Sequence, residues 1–193
     1  MCSVEKADPL LSDAGKTELL EIAITSIKHG LEQERPLPLD PNDYSEELQV
    51  ERACFVTLHR EGNLRGCIGS LEATQPLVAD VAENAFSAAF RDPRFDRLTK
   101  TELTGLEIHI SVLTPSTPMR FNSEAELLRQ IRPGIDGLIL TEGSRRGTFL
   151  PSVWDALPEP TTFLQQLKRK AGLPGDYWSE KIEIARYQTL SFP

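Results

Sequence analysis

The run Ala53-Cys54-Phe55-Val56-Thr57-Leu58-His59-Arg60-Glu61-Gly62-Asn63-Leu64-Arg65-Gly66-Cys67-Ile68-Gly69 reads as two strands folded onto each other. Ala53 to His59 is rich in β-formers, and Glu61-Gly62-Asn63 supplies the positive φ that a tight reversal needs. The result is a predicted hairpin that carries Cys67 on its second strand, between Gly66 and Gly69.

Helical patterns flank this hairpin. Residues 13–31 place Leu20, Ala23, Ile24, Ile27 and Leu31 at three- and four-residue spacing, with Gly30 as the expected stop. Three prolines in residues 34–43 predict an extended connector. Thr74 is the expected cap of a second helix, whose stripe Leu77, Val78, Val81, Ala85, Ala88 and Ala89 ends at Asp92-Pro93, since proline disfavours helix at the residue before it.

Leu106 to Leu113 alternates apolar and polar residues and predicts a strand, with His109 on its polar face. Ser123 and Glu126 form a capping box ahead of a short helix closed by Pro133-Gly134. Residues 137–141 and 147–150 predict a second hairpin around a five-residue loop. A helix then runs from Thr161 or Thr162 to a stop at Gly172, and a last strand spans 181–190. Without a strict βαβ rhythm, this pattern predicts an α+β fold with a mixed or mainly antiparallel sheet flanked by helices.

A formal charge of −8 disfavours a general binder of nucleic-acid backbone, which needs clustered cations to displace counterions. The one basic run, within Leu167 to Ala171, reads as a solvated helix end. Cys2, Cys54 and Cys67 are too few and too scattered for a disulfide framework or a metal clip, which points to a reducing compartment. No apolar stretch is long enough to span a bilayer, and the first residues do not resemble a secretion signal, so a cytoplasmic protein is expected.

Cys67 is the candidate nucleophile. Gly66 and Gly69 permit close backbone approach or positive φ, which would leave a thiol beside exposed amides. Arg65, two positions earlier on an extended strand, would project from the same face and favour the thiolate. The competing reading is an inert cysteine in a glycine-pinched strand, as Cys54 in its apolar run is expected to be.

Among the histidines, His109 is the candidate base, whereas His29 and His59 lie next to turn signals and read as solvated. Arg91 and Arg94, set among Phe90, Asp92 and Phe95, could hold an anionic ligand; local pairing of Asp92 with an arginine is the alternative. Gly143 to Gly147 lacks the spacing of a phosphate loop, and Trp154 is expected to cover the core. No cofactor or metal site is predicted.

The segments Phe55-Val-Thr-Leu, Leu64-Arg-Gly-Cys-Ile-Gly-Ser, Ala88-Ala-Phe-Arg-Asp-Pro-Arg-Phe, Ile110-Ser-Val-Leu-Thr-Pro, Asp136-Gly-Leu and Gly147-Thr-Phe-Leu-Pro-Ser-Val-Trp occur in the order that resembles the AMMECR family. The resemblance continues through Phe163-Leu-Gln-Gln-Leu-Lys-Arg-Lys-Ala-Gly-Leu and Trp178. Ser152 departs from the pattern, which has Gln there.

The resemblance implies a single AMMECR domain over residues 10–190, built as two interlocked subdomains with the Cys67 segment at its heart. The family is similar to one part of the AmmeMemoRadiSam systems, which implies a Memo-type protein and a radical S-adenosylmethionine enzyme as partners in a modification pathway. Two functions follow as expectations. One is an enzyme in which Cys67 and His109 act on a small anionic substrate held by Arg65, Gly66, Gly69, Arg91 and Arg94. The alternative is a noncatalytic binding or adaptor module, favoured if Phe90, Phe95 or Trp154 forms an exposed apolar patch.

Overall fold

Helix α1 (Asp13–Gln33) begins where Ser12 accepts a hydrogen bond from the Gly15 amide, and it buries Leu19, Ile22, Ala23 and Ile27. The computed structural model describes residues 11–193, so Cys2 and Leu10, the first residue of the expected domain, lie outside the described residues. The helix does not stop at Gly30. It ends at Glu34, whose left-handed backbone lets its amide bond the Gly30 carbonyl. Gly30 is needed for close approach instead, because a side chain there would run into the rings of Phe86 and Phe90.

The proline-rich connector ends in a short 3-10 turn at Pro41–Asp43, capped by Asp40. A short helix, α2 (Glu46–Gln49), follows and buries Leu48. Strands β1 (Cys54–Arg60) and β2 (Asn63–Gly69) form the expected antiparallel hairpin. Its two-residue turn, Glu61-Gly62, has positive φ at both positions, the geometry whose twist matches that of paired strands.

Helix α3 (Leu77–Phe90) starts after Pro76, not at Thr74. Gln75 precedes a proline and is therefore biased out of the helical region, which leaves Thr74 outside the first turn. The other end is as expected, at Arg91 before Asp92-Pro93. Strand β3 (Leu106–Leu113) pairs antiparallel with β1.

The described residues form two compact units. The first runs to Leu113 and takes up the chain again at Leu190–Pro193. Its sheet has the order β2-β1-β3-β8, where β8 is Thr189–Phe192. One face, with Cys54, Val56, Leu58, Ile110 and Val112, is buried in a core shared with α1 and α3.

The second unit, Thr114–Thr189, holds β4 (Thr117–Pro118), α4 (Glu124–Gln130), β5 (Gly137–Glu142), β6 (Arg145–Phe149), α5 (Pro160–Lys170) and β7 (Glu183–Tyr187). Its sheet order is β4-β7-β5-β6, and every register in it is antiparallel. Ser123 caps α4 by accepting from the Glu126 amide, while the Glu126 carboxylate accepts from the Asn122 amide. The β5–β6 loop is shorter than expected: Glu142 pairs with Arg145, leaving a two-residue turn with Gly143 at positive φ. The expected strand over 181–190 is broken at Gln188 into β7 and β8, which belong to different sheets.

Trp154 covers the core of the second unit. Its ring stacks on Phe163 at 3.7 Å, and Nε1 donates to the Asp136 carbonyl at 2.7 Å. The basic run is only partly a solvated face. Lys168 is fully buried and bonds Glu124 at 2.7 Å over the Trp178 ring, while Arg169 and Lys170 are exposed. The architecture is α+β, with helices and two antiparallel sheets.

Candidate functional site around Cys67

Cys67 lies on β2, the edge strand of its sheet. The β1–β2 register shifts between Leu58 and His59, so Arg65 is an extra residue: His59 faces Leu64, Leu58 faces Gly66 and Thr57 faces Cys67. Gly66 is buried towards α3, where a side chain would collide with the Ala88 carbonyl. Alternation then turns Cys67 to the opposite face of the sheet. There the Thr57 hydroxyl donates to Sγ at 3.3 Å. Gly69 also serves close packing, against the Phe55 ring and the Cys54 carbonyl, and neither glycine has positive φ.

The turn after α3 crosses the free edge of β2. Asp92, 4% exposed, accepts through Oδ2 from the Cys67 amide at 2.9 Å and from Arg94 Nη2 at 2.6 Å. Its Oδ1 accepts from the amide and Nε of Arg94 at 3.1 and 2.9 Å. Arg94 in turn donates to the Cys67 carbonyl at 3.2 Å. The Arg94 hydrogen bond, reinforced by the two amides and opposed by burial, holds the Asp92 carboxyl well below the usual carboxylate range. Arg94 is held charged beyond its ordinary range, first by Asp92 and then by interaction with Cys67. The Cys67 amide is therefore not an open donor, and the cation beside the cysteine is Arg94.

Arg65 is directed elsewhere. Its Nε donates to Glu102 at 2.7 Å and Nη2 donates to the Asp96 carbonyl at 2.9 Å. The Arg65 hydrogen bond pulls the Glu102 carboxyl from 4.5 down to about 2. As the residue inserted at the bulge, Arg65 escapes the simple alternation that would align it with Cys67. Arg91 bonds Glu83 at 3.0 Å and lies over the Phe86 ring at 4.7 Å.

His109 is the β3 residue opposite Thr57, and its ring meets His59 edge-on at 5.2 Å. Two strand spacings, about 10 Å, thus separate the His109 and Cys67 backbones. His109 also lines a mainly apolar recess of about 460 Å³ with Leu20, Ile24, Ile108 and Pro193. His29 is half-buried, not solvated, and its Nε2 is buried without a hydrogen-bond partner. Cys54 is fully buried beneath the sheet; burial first, then Asp80, pushes its thiol up.

Among the described residues, no three His, Cys, Asp or Glu side chains come together as a metal-ligand group. A groove of about 1030 Å³ in the second unit, between Phe121 and Trp178 over Ile139 and Ala185, contains none of the predicted site residues. No helix of the described residues is long and apolar enough to cross a membrane.

The structure thus joins Cys67, Arg94, Gly66 and Gly69 and places His109 in the same cross-strand row, while Arg65 and Arg91 are committed to carboxylates. Asp92 pairs locally with an arginine, Arg94, as the sequence offered as the alternative, whereas Thr57 beside Cys67 and Glu102 beside Arg65 were not singled out. Asp92 was visible as the residue ending α3, but its reach to the Cys67 amide depends on tertiary contact.

A family model described as AMMECR1 matches residues 20–192. A protein of Methanothermobacter thermautotrophicus is 40% identical over 193 residues, covering 97% of each chain. A protein of Thermotoga maritima is 39% identical over 145 residues, covering 74% of this chain and 78% of its own. The crystal structure of an uncharacterised protein from Pyrococcus horikoshii superposes with a TM-score of 0.82 at 31% identity, covering 95% of this chain and 93% of its own.

Proposed function

The chain belongs to the AMMECR1 family, and on that premise we propose that it is a Cys67-dependent enzyme acting on a small anionic substrate. The observation that carries this reading is the convergence on Cys67 of the Arg94 guanidinium, which donates to its carbonyl at 3.2 Å, and the Thr57 hydroxyl, which donates to its Sγ at 3.3 Å. A nearby cation and a hydroxyl donor both stabilise a thiolate, the form of cysteine that acts as a nucleophile. Arg94 is also half-exposed, at 54%, so one edge of its guanidinium remains available to an anionic group of the substrate.

The placement of these residues supports their roles in this reading. Cys67 supplies the sulfur nucleophile, Arg94 orients the anion, and buried Asp92 fixes both by bonding the Cys67 amide and the guanidinium. Gly66 and Gly69 keep β2 close to its neighbours so that the thiol stays on the Thr57 face. His109 is the base, reached across Thr57. A place in the cytoplasm and in a modification pathway with a Memo-type protein and a radical S-adenosylmethionine enzyme belongs to this reading through the family resemblance, and co-purification with those partners tests it.

The anionic-substrate claim is tested by alkylating Cys67 with iodoacetate and with iodoacetamide, which differ in charge. The iodoacetate-to-iodoacetamide rate ratio at Cys67 is expected to be higher in the folded protein than in the unfolded chain, and to fall in Arg94→Ala. Equal ratios in folded and unfolded protein, unaltered by Arg94→Ala, would remove the case for an anion site.

A further inference from the structure

We propose that Thr57 is a positioning residue for the Cys67 thiolate and the link through which the thiol proton passes to His109; this rests on reading Cys67 as a nucleophile. Thr57 sits on the middle strand of the row, paired with Cys67 on one side and with His109 on the other. Directly opposed residues on antiparallel strands place their Cβ atoms about 4.5 to 5.5 Å apart, within reach of short polar side chains. On the Cys67 side that reach is realised, with the hydroxyl donating to Sγ at 3.3 Å.

A hydroxyl suits this place because it combines one donor hydrogen with acceptor lone pairs. In the transfer, the thiol proton moves to the Thr57 oxygen while the hydroxyl proton moves to a ring nitrogen of His109. One proton leaves Cys67, one arrives at His109, and Thr57 is unchanged. The sulfur keeps the electron pair, and the new hydroxyl hydrogen points back to the thiolate. The edge-on contact with His59 restrains the receiving ring.

The titratable and charged groups around this row are Arg94 and Asp92 from the turn after α3, His59 from β1, and Glu107 and His109 from β3. Thr57 is the uncharged member, which makes its contribution separable from theirs. Loss of the Arg94 charge gives an effect that salt screens, whereas loss of the Thr57 hydroxyl gives one that salt leaves largely alone. Valine has almost the same shape as threonine and an equally good strand propensity, so Thr57→Val removes the hydroxyl and little else.

The experiment is the rate of iodoacetamide labelling at Cys67 as a function of pH, read by mass spectrometry in the full chain, for wild type, Thr57→Val, Thr57→Ser and His109→Asn. Thr57→Val is expected to label about tenfold more slowly at neutral pH, with its profile moved to higher pH by about one unit. Thr57→Ser, which restores the hydroxyl, is expected to label within about twofold of wild type. Thermal melts of each variant confirm that it is folded, and Thr57→Ala against Thr57→Ser gives the same comparison if valine is not tolerated.

A Thr57→Val profile superimposed on wild type overturns the role of Thr57. A shifted Thr57→Val profile with an unshifted His109→Asn profile overturns the link to His109. The nucleophile reading itself fails on a different outcome, a wild-type Cys67 no faster than the same cysteine in the unfolded chain.

Discussion

The backbone amide of Cys67 donates to the buried carboxylate of Asp92 at 2.9 Å, across the free edge of β2. An edge strand ordinarily leaves such amides open to water or to another chain. Here the turn after α3 closes the edge, and the same carboxylate brings Arg94 to the cysteine. Protection of the edge and assembly of the candidate site are one arrangement.

Gly66→Ala is expected to destabilise the first unit, because the added carbon would collide with the Ala88 carbonyl, a backbone atom that cannot move without displacing α3. Overpacking of this kind costs about 3 kcal/mol. Chemical denaturation of the full chain, followed by peptide-resolved hydrogen exchange, should show the loss in β2 and α3, with little change in the second unit.

The position of this glycine also shows how far the sequence could be read. The hairpin over β1 and β2, its positive-φ turn and the strand β3 follow from local pattern, and the structure has them. The register does not. A regular two-residue hairpin would pair Thr57 with Gly66 and put Cys67 on the core face beside Val56. The bulge at Arg65 moves the register by one residue and turns Cys67 to the other face. No local signal announces that bulge, so Thr57 stayed hidden and Arg65 looked like the partner of the cysteine. The pairing of Asp92 with a neighbouring arginine was legible, but its bond to the Cys67 amide and that of Glu102 to Arg65 were not, since these span 25 and 37 residues of the chain. The break at Gln188 likewise reflects two sheets competing for one alternating stretch.

Glu102→Gln is expected to flatten the acid limb of stability. The Glu102 carboxyl, ordinarily at 4.5, is lowered to about 2 by Arg65 in the folded state. A depressed folded value means that the unfolded chain takes up the proton first. The stabilisation is complete above about 4.5 and is lost as pH falls towards about 2. Urea titrations at several pH values across this window should show a shallower slope in Glu102→Gln, with stability at neutral pH lower by about 2 kcal/mol.

Trp154→Phe is expected to keep an aromatic ring against Phe163 but lose the Nε1 hydrogen bond that satisfies the Asp136 carbonyl. Leaving a buried acceptor without its donor costs about 2 kcal/mol. Because Trp154 belongs to the second unit, hydrogen exchange should rise in β5 and α5 while labelling of Cys67 keeps its wild-type rate.

The most direct test compares two cysteines of the same molecule. Native protein is treated with iodoacetamide at neutral pH, and Cys67 and Cys54 are followed separately by peptide mass spectrometry. Cys67, half-buried beside Thr57 and Arg94, is expected to label fully and to slow in Arg94→Ala, while fully buried Cys54 stays unmodified until the chain unfolds. If Cys67 instead stays protected in step with Cys54 and reacts only on unfolding, it is a structural residue and the enzyme reading is wrong.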